Sequence, residues 1–155
     1  MYKRQINSVL KVFPDAKFVF LVRDPLETIP SYFSLQENVK FGNLLTSDEM
    51  KLLRNETYAE IIEWYRETEK VKSKLVKKQF ITLTYPQITG DLENSISLFY
   101  KFIGKKMTKK FQKQVSDYAG KKYTKKHQNK TIEDYGFTKK QILSDFDFVY
   151  QKYFV

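Results

Sequence analysis

Phe13-Pro-Asp-Ala-Lys-Phe-Val-Phe-Leu-Val-Arg-Asp-Pro-Leu-Glu-Thr-Ile-Pro-Ser-Tyr-Phe-Ser-Leu35 carries the strongest local signals in this chain. It opens on a turn signal, Phe13-Pro14-Asp15. Phe18 to Val22 follows as a short, unbroken run of β-branched, aromatic and aliphatic residues. A run that short and apolar predicts a strand buried on both faces, as in a parallel sheet. Arg23 stands at its carboxyl end, and Asp24-Pro25 comes next. Asp suits a helix N-cap and Pro the first helical position. The stretch therefore reads strand, charged corner, helix. In open α/β sheets ligands bind at such corners. A guanidinium there is a planar fork for phosphate or carboxylate. Ser31, eight positions on, offers a hydroxyl to the same anion. The alternative is that Arg23 belongs to a surface ion network with Asp24 or Glu27.

Around this stretch, composition narrows the field. The chain has 155 residues, enough for one domain with a core. Apolar residues make up 41% and aromatic residues 16%, which argues against disorder. There is no cysteine and only one histidine. A disulfide framework, thiol chemistry and a Cys-based metal site are thereby excluded, and a His-rich metal site is disfavoured. No apolar run reaches membrane-spanning length and no signal-peptide core stands at the amino terminus. A soluble, cytoplasmic protein is the expectation. The net charge of +10 favours anionic partners such as nucleotides, nucleic acid or a membrane surface.

Apolar Ile6, Val9, Leu10 and Phe13 follow helical spacing and predict a helix before the strand. After the corner, Pro25 to about Gln36 is expected to be helical. Pro30 lies inside it, at a cost of about 3 kcal/mol, so a kink or irregular turn is expected near Ser31. Thr46-x-x-Glu49 is a capping box before a long charged helix over about 48–78, with Tyr58, Ile61, Ile62 and Tyr65 as its apolar stripe. Trp64 lies off that stripe, which suits a second surface or a pocket. Gln79 to Tyr85, with the run Phe80-Ile-Thr-Leu-Thr-Tyr85, predicts a second strand, stopped by Pro86. Tyr85 at its end is suited to stack on or hydrogen-bond a nucleotide, or is an ordinary buried tyrosine. A helix follows with Leu92, Ile96, Phe99 and Ile103 on one face and Gly104 at its C′ position. A basic helix spans about Thr108 to Ala119. Lys121 to Lys130 holds five Lys and one His and reads as a solvated loop. Thr138-x-x-Gln141 caps a single final helix with Ile142, Phe146, Val149 and Tyr153 on one face.

Phe13-Pro-Asp-Ala-Lys-Phe-Val, Val22-Arg-Asp-Pro25 and Ser31 together resemble the second nucleotide-binding motif of the sulfotransferases that use 3′-phosphoadenosine 5′-phosphosulfate (PAPS). The resemblance implies that Arg23 and Ser31 hold the 3′-phosphate. Ser95-Ile-x-x-Phe-Tyr-x-Phe-Ile-Gly104 resembles a helix of the same family, and the tail resembles its bacterial-type members, where a basic loop folds over the nucleotide. By position, Lys125, Lys126, His127 and Lys130 are then candidates for its phosphates, with a solubilising charge run as the alternative. Tyr85-Pro-Gln-Ile88 departs from the family's Tyr-Glu-Asp-Leu type motif by lacking the acidic pair. No Gly-rich or Lys/Ser/Thr phosphate loop occurs near the start. In the family, that loop and the catalytic base lie upstream of the first strand seen here.

Two strands fall well short of the five to six of an average sheet, roughly. The expectation is an α/β, P-loop-like three-layer sulfotransferase fold, incomplete and mostly helical. Residues 6–155 are then expected to be the carboxyl-terminal portion of a sulfotransferase domain. Met1-Tyr-Lys-Arg-Gln5 looks like a translated sequencing adapter. The implied activity is sulfuryl transfer from PAPS to an acceptor hydroxyl or amine, with no metal. This chain is expected to carry the 3′-phosphate half and to be inactive alone. The competing reading is a small basic nucleic-acid-binding module, with aromatic side chains as stacking platforms. A P-loop kinase relative shares the strand–Arg–helix logic but needs the same missing loop.

Overall fold

A computed structural model describes residues 2–41, 44–120 and 130–154. Among them are two strands, β1 (Phe18–Val22) and β2 (Phe80–Thr84), and eight α-helices. The helices are α1 (Tyr2–Val12), α2 (Pro25–Leu35), α3 (Ser47–Lys72), α4 (Tyr85–Gly90), α5 (Leu92–Ile103), α6 (Lys109–Ala119), α7 (Lys139–Asp145) and α8 (Asp147–Tyr153). The chain is thus mostly helical with a small parallel sheet, an incomplete α/β fold. It divides into two compact units, with boundaries at the Arg23–Asp24 bond, within α3 after Glu69, and between Lys126 and His127.

The first unit holds α1, β1, β2, α4, α5 and α6. The strands run parallel in the register Phe18–Phe80, Val19–Ile81, Phe20–Thr82, Leu21–Leu83 and Val22–Thr84. Lys72 covers the Phe80 face, its ammonium 2.9 Å from Thr82 Oγ1 and over the Phe80 ring. The opposite face is open at β1, where Val19 is 38% and Leu21 62% exposed. Burial on both faces was the sequence expectation, and it fails here. A strand is covered twice only where further layers pack on it; on this face Leu83 of β2 is buried, while Val19 and Leu21 of β1 are left exposed.

Caps set the ends of the surrounding helices. Thr84 and Gln87 exchange side-chain-to-backbone bonds in a capping box at α4, with Pro86 in its first turn. Pro86 therefore begins a helix instead of merely ending a strand, since its missing N–H is not needed there. Tyr85 accordingly opens α4. Asp91 caps α5 through the Asn94 amide, and Gly104 ends it at φ +72°, a left-handed position that disfavours a Cβ.

The second unit holds α2, most of α3, α7 and α8. α2 continues through Pro30 to Leu35 as a helix, and the irregularity comes later, in a π-helical turn at Gln36–Phe41. The expected kink near Ser31 is not where the helix breaks. Ile29 and Phe33 are completely buried, and each contributes about 1.5–3 kcal/mol, which together offsets the cost of an interior proline. The Thr46–Glu49 box is present at α3. α3 stops at Lys72, six residues before its expected end, as Ser73 turns its hydroxyl back to the Lys70 carbonyl. Tyr58, Ile61 and Tyr65 of the α3 stripe are buried as expected, and Trp64 is half exposed.

Their partners are rings. Phe33 meets Tyr135 at 5.2 Å and Phe137 at 5.6 Å, Tyr58 meets Phe137 at 4.6 Å, and Tyr65 meets Phe146 at 5.4 Å. Such edge and tilted pairs favour ring quadrupoles and add to area burial. The single final helix is corrected to two, α7 and α8, joined at Phe146, whose backbone (φ −107°, ψ 17°) leaves the helical region while its ring is fully buried.

Candidate functional site

The charged corner is built as its residue types dictate. β1 delivers Arg23 at its carboxyl end, and Asp24 turns the chain into α2 with Pro25 at the helix start. Asp24 Oδ1 accepts the Leu26 amide at 2.8 Å, so a side chain satisfies a backbone donor that the helix cannot.

Within the first unit the structure brings two predicted residues together. The Arg23 guanidinium lies over the Tyr85 ring, 4.9 Å from its centre. The strands place both: Val22 and Thr84 are partners, so the residues that follow each leave the sheet side by side. Stacking on an aromatic face orients a guanidinium. Both residues are partly exposed. Tyr85 is thus a platform for Arg23, a partner that its position at a strand end did not reveal.

Ser31 lies in the second unit, on α2 beside buried Pro30, and is itself partly exposed. Lys125, Lys126 and His127 fall outside the described residues. Lys130 is described and exposed. Its ammonium is 3.1 Å from Glu37, which also takes Arg54, and both cations lie over the Tyr135 ring. The pairing with Glu37 pushes the Lys130 pKa up. As a phosphate ligand, Lys130 would have to exchange one carboxylate for another anion.

Sequence reasoning missed Tyr150. Its phenol donates to Asp24 Oδ1 at 2.5 Å, and its oxygen is 3.3 Å from the Leu26 amide. Burial first, and then the Asp24 carboxylate, push this phenol's pKa well above the usual tyrosine value. The residues are 126 positions apart, and no local pattern links them. Tyr58 is likewise tied to Asp145 at 2.7 Å. Among the described residues no cluster of His, Asp or Glu is arranged to hold a metal. No described helix is long and apolar enough to cross a membrane.

A parallel sheet whose strand runs through an arginine into a capped helix is an α/β arrangement, and comparison with known proteins makes the class specific. The Sulfotransferase family profile matches residues 1–109, more than half of the chain, and the chain belongs to that family. It is 27% identical over 100 residues to the omega-hydroxy-beta-dihydromenaquinone-9 sulfotransferase Stf3 of Mycobacterium bovis and to its Mycobacterium tuberculosis counterpart. Those matches cover 64% of this chain and 26% of the relatives, so the chain spans about a quarter of their length. The crystal structure of sulfotransferase STF9 from Mycobacterium avium resembles 97% of this chain at a TM-score of 0.75 and 20% identity, over 39% of its own length. That likeness shows the fold.

Proposed function

We propose that this chain is the part of a PAPS-dependent sulfotransferase that grips the 3′-phosphate of the nucleotide. The observation that carries this reading is Arg23, held at the mouth of β1 with its guanidinium braced on Tyr85. The donor set suits a phosphate: a fixed cationic fork from Arg23 and, by the sequence resemblance, the Ser31 hydroxyl. PAPS, when bound, supplies the sulfuryl group for in-line transfer to an acceptor hydroxyl or amine. Arg23 neutralises phosphate charge and orients the nucleotide. Tyr85 limits the guanidinium's freedom, so less entropy is lost on binding. Lys125, Lys126, His127 and Lys130 add cationic charge around the phosphates, as in the family's basic loop. No residue of this chain is assigned as the base that takes the acceptor proton, and the chain alone is expected not to turn over.

Phe33, Tyr58, Tyr65, Tyr135, Phe137 and Phe146 are buried in the second unit, and rings spent on a core weigh against a nucleic-acid module, which needs its rings on an open cationic face. Calorimetry with adenosine 3′,5′-bisphosphate and adenosine 5′-monophosphate tests the proposal. The bisphosphate should bind more tightly. Arg23→Ala should weaken it by about tenfold to a hundredfold, the worth of a charge-assisted contact, and leave the monophosphate unchanged. Equal affinity of the wild-type chain for the two nucleotides would refute the reading.

A further inference from the structure

The corner is held from far along the chain. Asp24 needs no help to cap α2, because its own Oδ1 already accepts the Leu26 amide at 2.8 Å. Yet the same oxygen takes a second, shorter hydrogen bond from the Tyr150 phenol, at 2.5 Å, and the Tyr150 oxygen stands 3.3 Å from the Leu26 amide. Three groups from two helices therefore close on one point. Pro25, between Asp24 and Leu26, is fully buried and removes a backbone torsion at that point. The phenol stays protonated, since burial and the carboxylate both oppose its ionisation. A donor bonded to a carboxylate in partly buried surroundings is among the stronger kinds of hydrogen bond.

We propose that Tyr150 is a positioning residue for the anion site. It fixes the Asp24 carboxylate and the first turn of α2, and so sets the helix that carries Ser31 two turns on. Asp24, Ser31 and Tyr150 all belong to the second unit, so this tie acts inside one compact body. The inference rests on the 3′-phosphate reading above and adds a residue to it. Tyr150 does not touch the nucleotide. It acts through Asp24, and its loss should lower the advantage that a 3′-phosphate confers without changing the rest of nucleotide binding.

The test is a double-mutant cycle on the full chain, read by calorimetry with adenosine 3′,5′-bisphosphate and adenosine 5′-monophosphate. Tyr150→Phe keeps the ring and removes one hydroxyl. It should weaken the bisphosphate by about tenfold, the scale of one hydrogen bond to a charged group, and leave the monophosphate unchanged. Asp24→Asn keeps the cap but makes the bond from Tyr150 neutral, and should cost the bisphosphate about threefold. In the Asp24→Asn background, Tyr150→Phe should cost clearly less than it does alone. Amide hydrogen exchange at Leu26 should quicken in Tyr150→Phe, a readout that needs no nucleotide.

Equal losses for both nucleotides mean a merely structural role and overturn the proposal. So do strictly additive losses, or a Tyr150→Phe chain that keeps its full preference for the bisphosphate. If Tyr150→Phe does not fold, Asp24→Asn alone decides, and an unchanged preference in that variant overturns it. A wild-type chain with no preference for the bisphosphate removes the 3′-phosphate reading itself, which is a different result from a preference that survives the loss of Tyr150.

Discussion

Phe146→Ala should remove a large share of the stability of the second unit. The ring is completely buried at the junction of α7 and α8. It meets Tyr65 edge-on at 5.4 Å, Tyr58 edge-on at 6.1 Å, and Phe148 in a stacked arrangement at 6.4 Å. A phenyl ring of this kind buries on the order of 150–200 Å². At about 25 cal/mol per Å², the transfer contribution is about 4–5 kcal/mol. The unfolded chain already hides part of that area, which lowers the figure, and the cavity left among the rings raises it. A loss of about 4 kcal/mol follows, against about 5–15 kcal/mol for a whole domain. Urea unfolding followed by the fluorescence of Trp64, the only tryptophan and a member of the same unit, gives the number. Leu143→Ala on α7 is the control. That side chain is 39% exposed, and its loss should cost under about half as much. A Phe146→Ala unfolding free energy within about 1 kcal/mol of wild type would refute the ring's place as the hub of this core.

Tyr58 and Tyr150 have raised pKa values, chiefly through burial and then through Asp145 and Asp24. Since the unfolded phenols ionise near about pH 10, the stability these residues contribute is complete below that pH and is lost as pH rises above it. Absorbance titration should therefore show fewer than the eleven tyrosines ionising before the alkaline unfolding transition, and all eleven ionising in the native chain would contradict the buried pairs. Gly104→Ala should cost about 1 kcal/mol, because nothing lies within 4 Å of the new methyl group and the penalty comes from the +72° backbone angle alone; a neutral result in urea unfolding would place the helix end elsewhere. Leu21→Lys, on the open side of β1 where the wild-type side chain is 62% exposed, should change stability by less than about 0.5 kcal/mol and reduce self-association in light scattering; a large destabilisation would show that this side is covered.

Much of this protein was decided locally and is legible in its sequence. Phe18–Val22 and Phe80–Thr84 are strands because short apolar runs of these residue types have no better alternative, and Asp24, Thr46, Asp91, Thr108 and Thr138 begin helices because their side-chain oxygens reach backbone amides two or three residues on. The corner residues Arg23 and Asp24-Pro25 were readable for the same reason, since strand end and helix start are properties of neighbours in the chain. Tertiary packing decided the rest. Helix α2 passes through Pro30 because Ile29 and Phe33 are buried, the final helix breaks where the Phe146 ring turns inward, Val19 and Leu21 of β1 are exposed while Leu83 beside them is buried, and Tyr150 reaches Asp24 across 126 residues. Short-range rules carry no information about such partners, because burial and long-range hydrogen bonds arise only once distant segments have met.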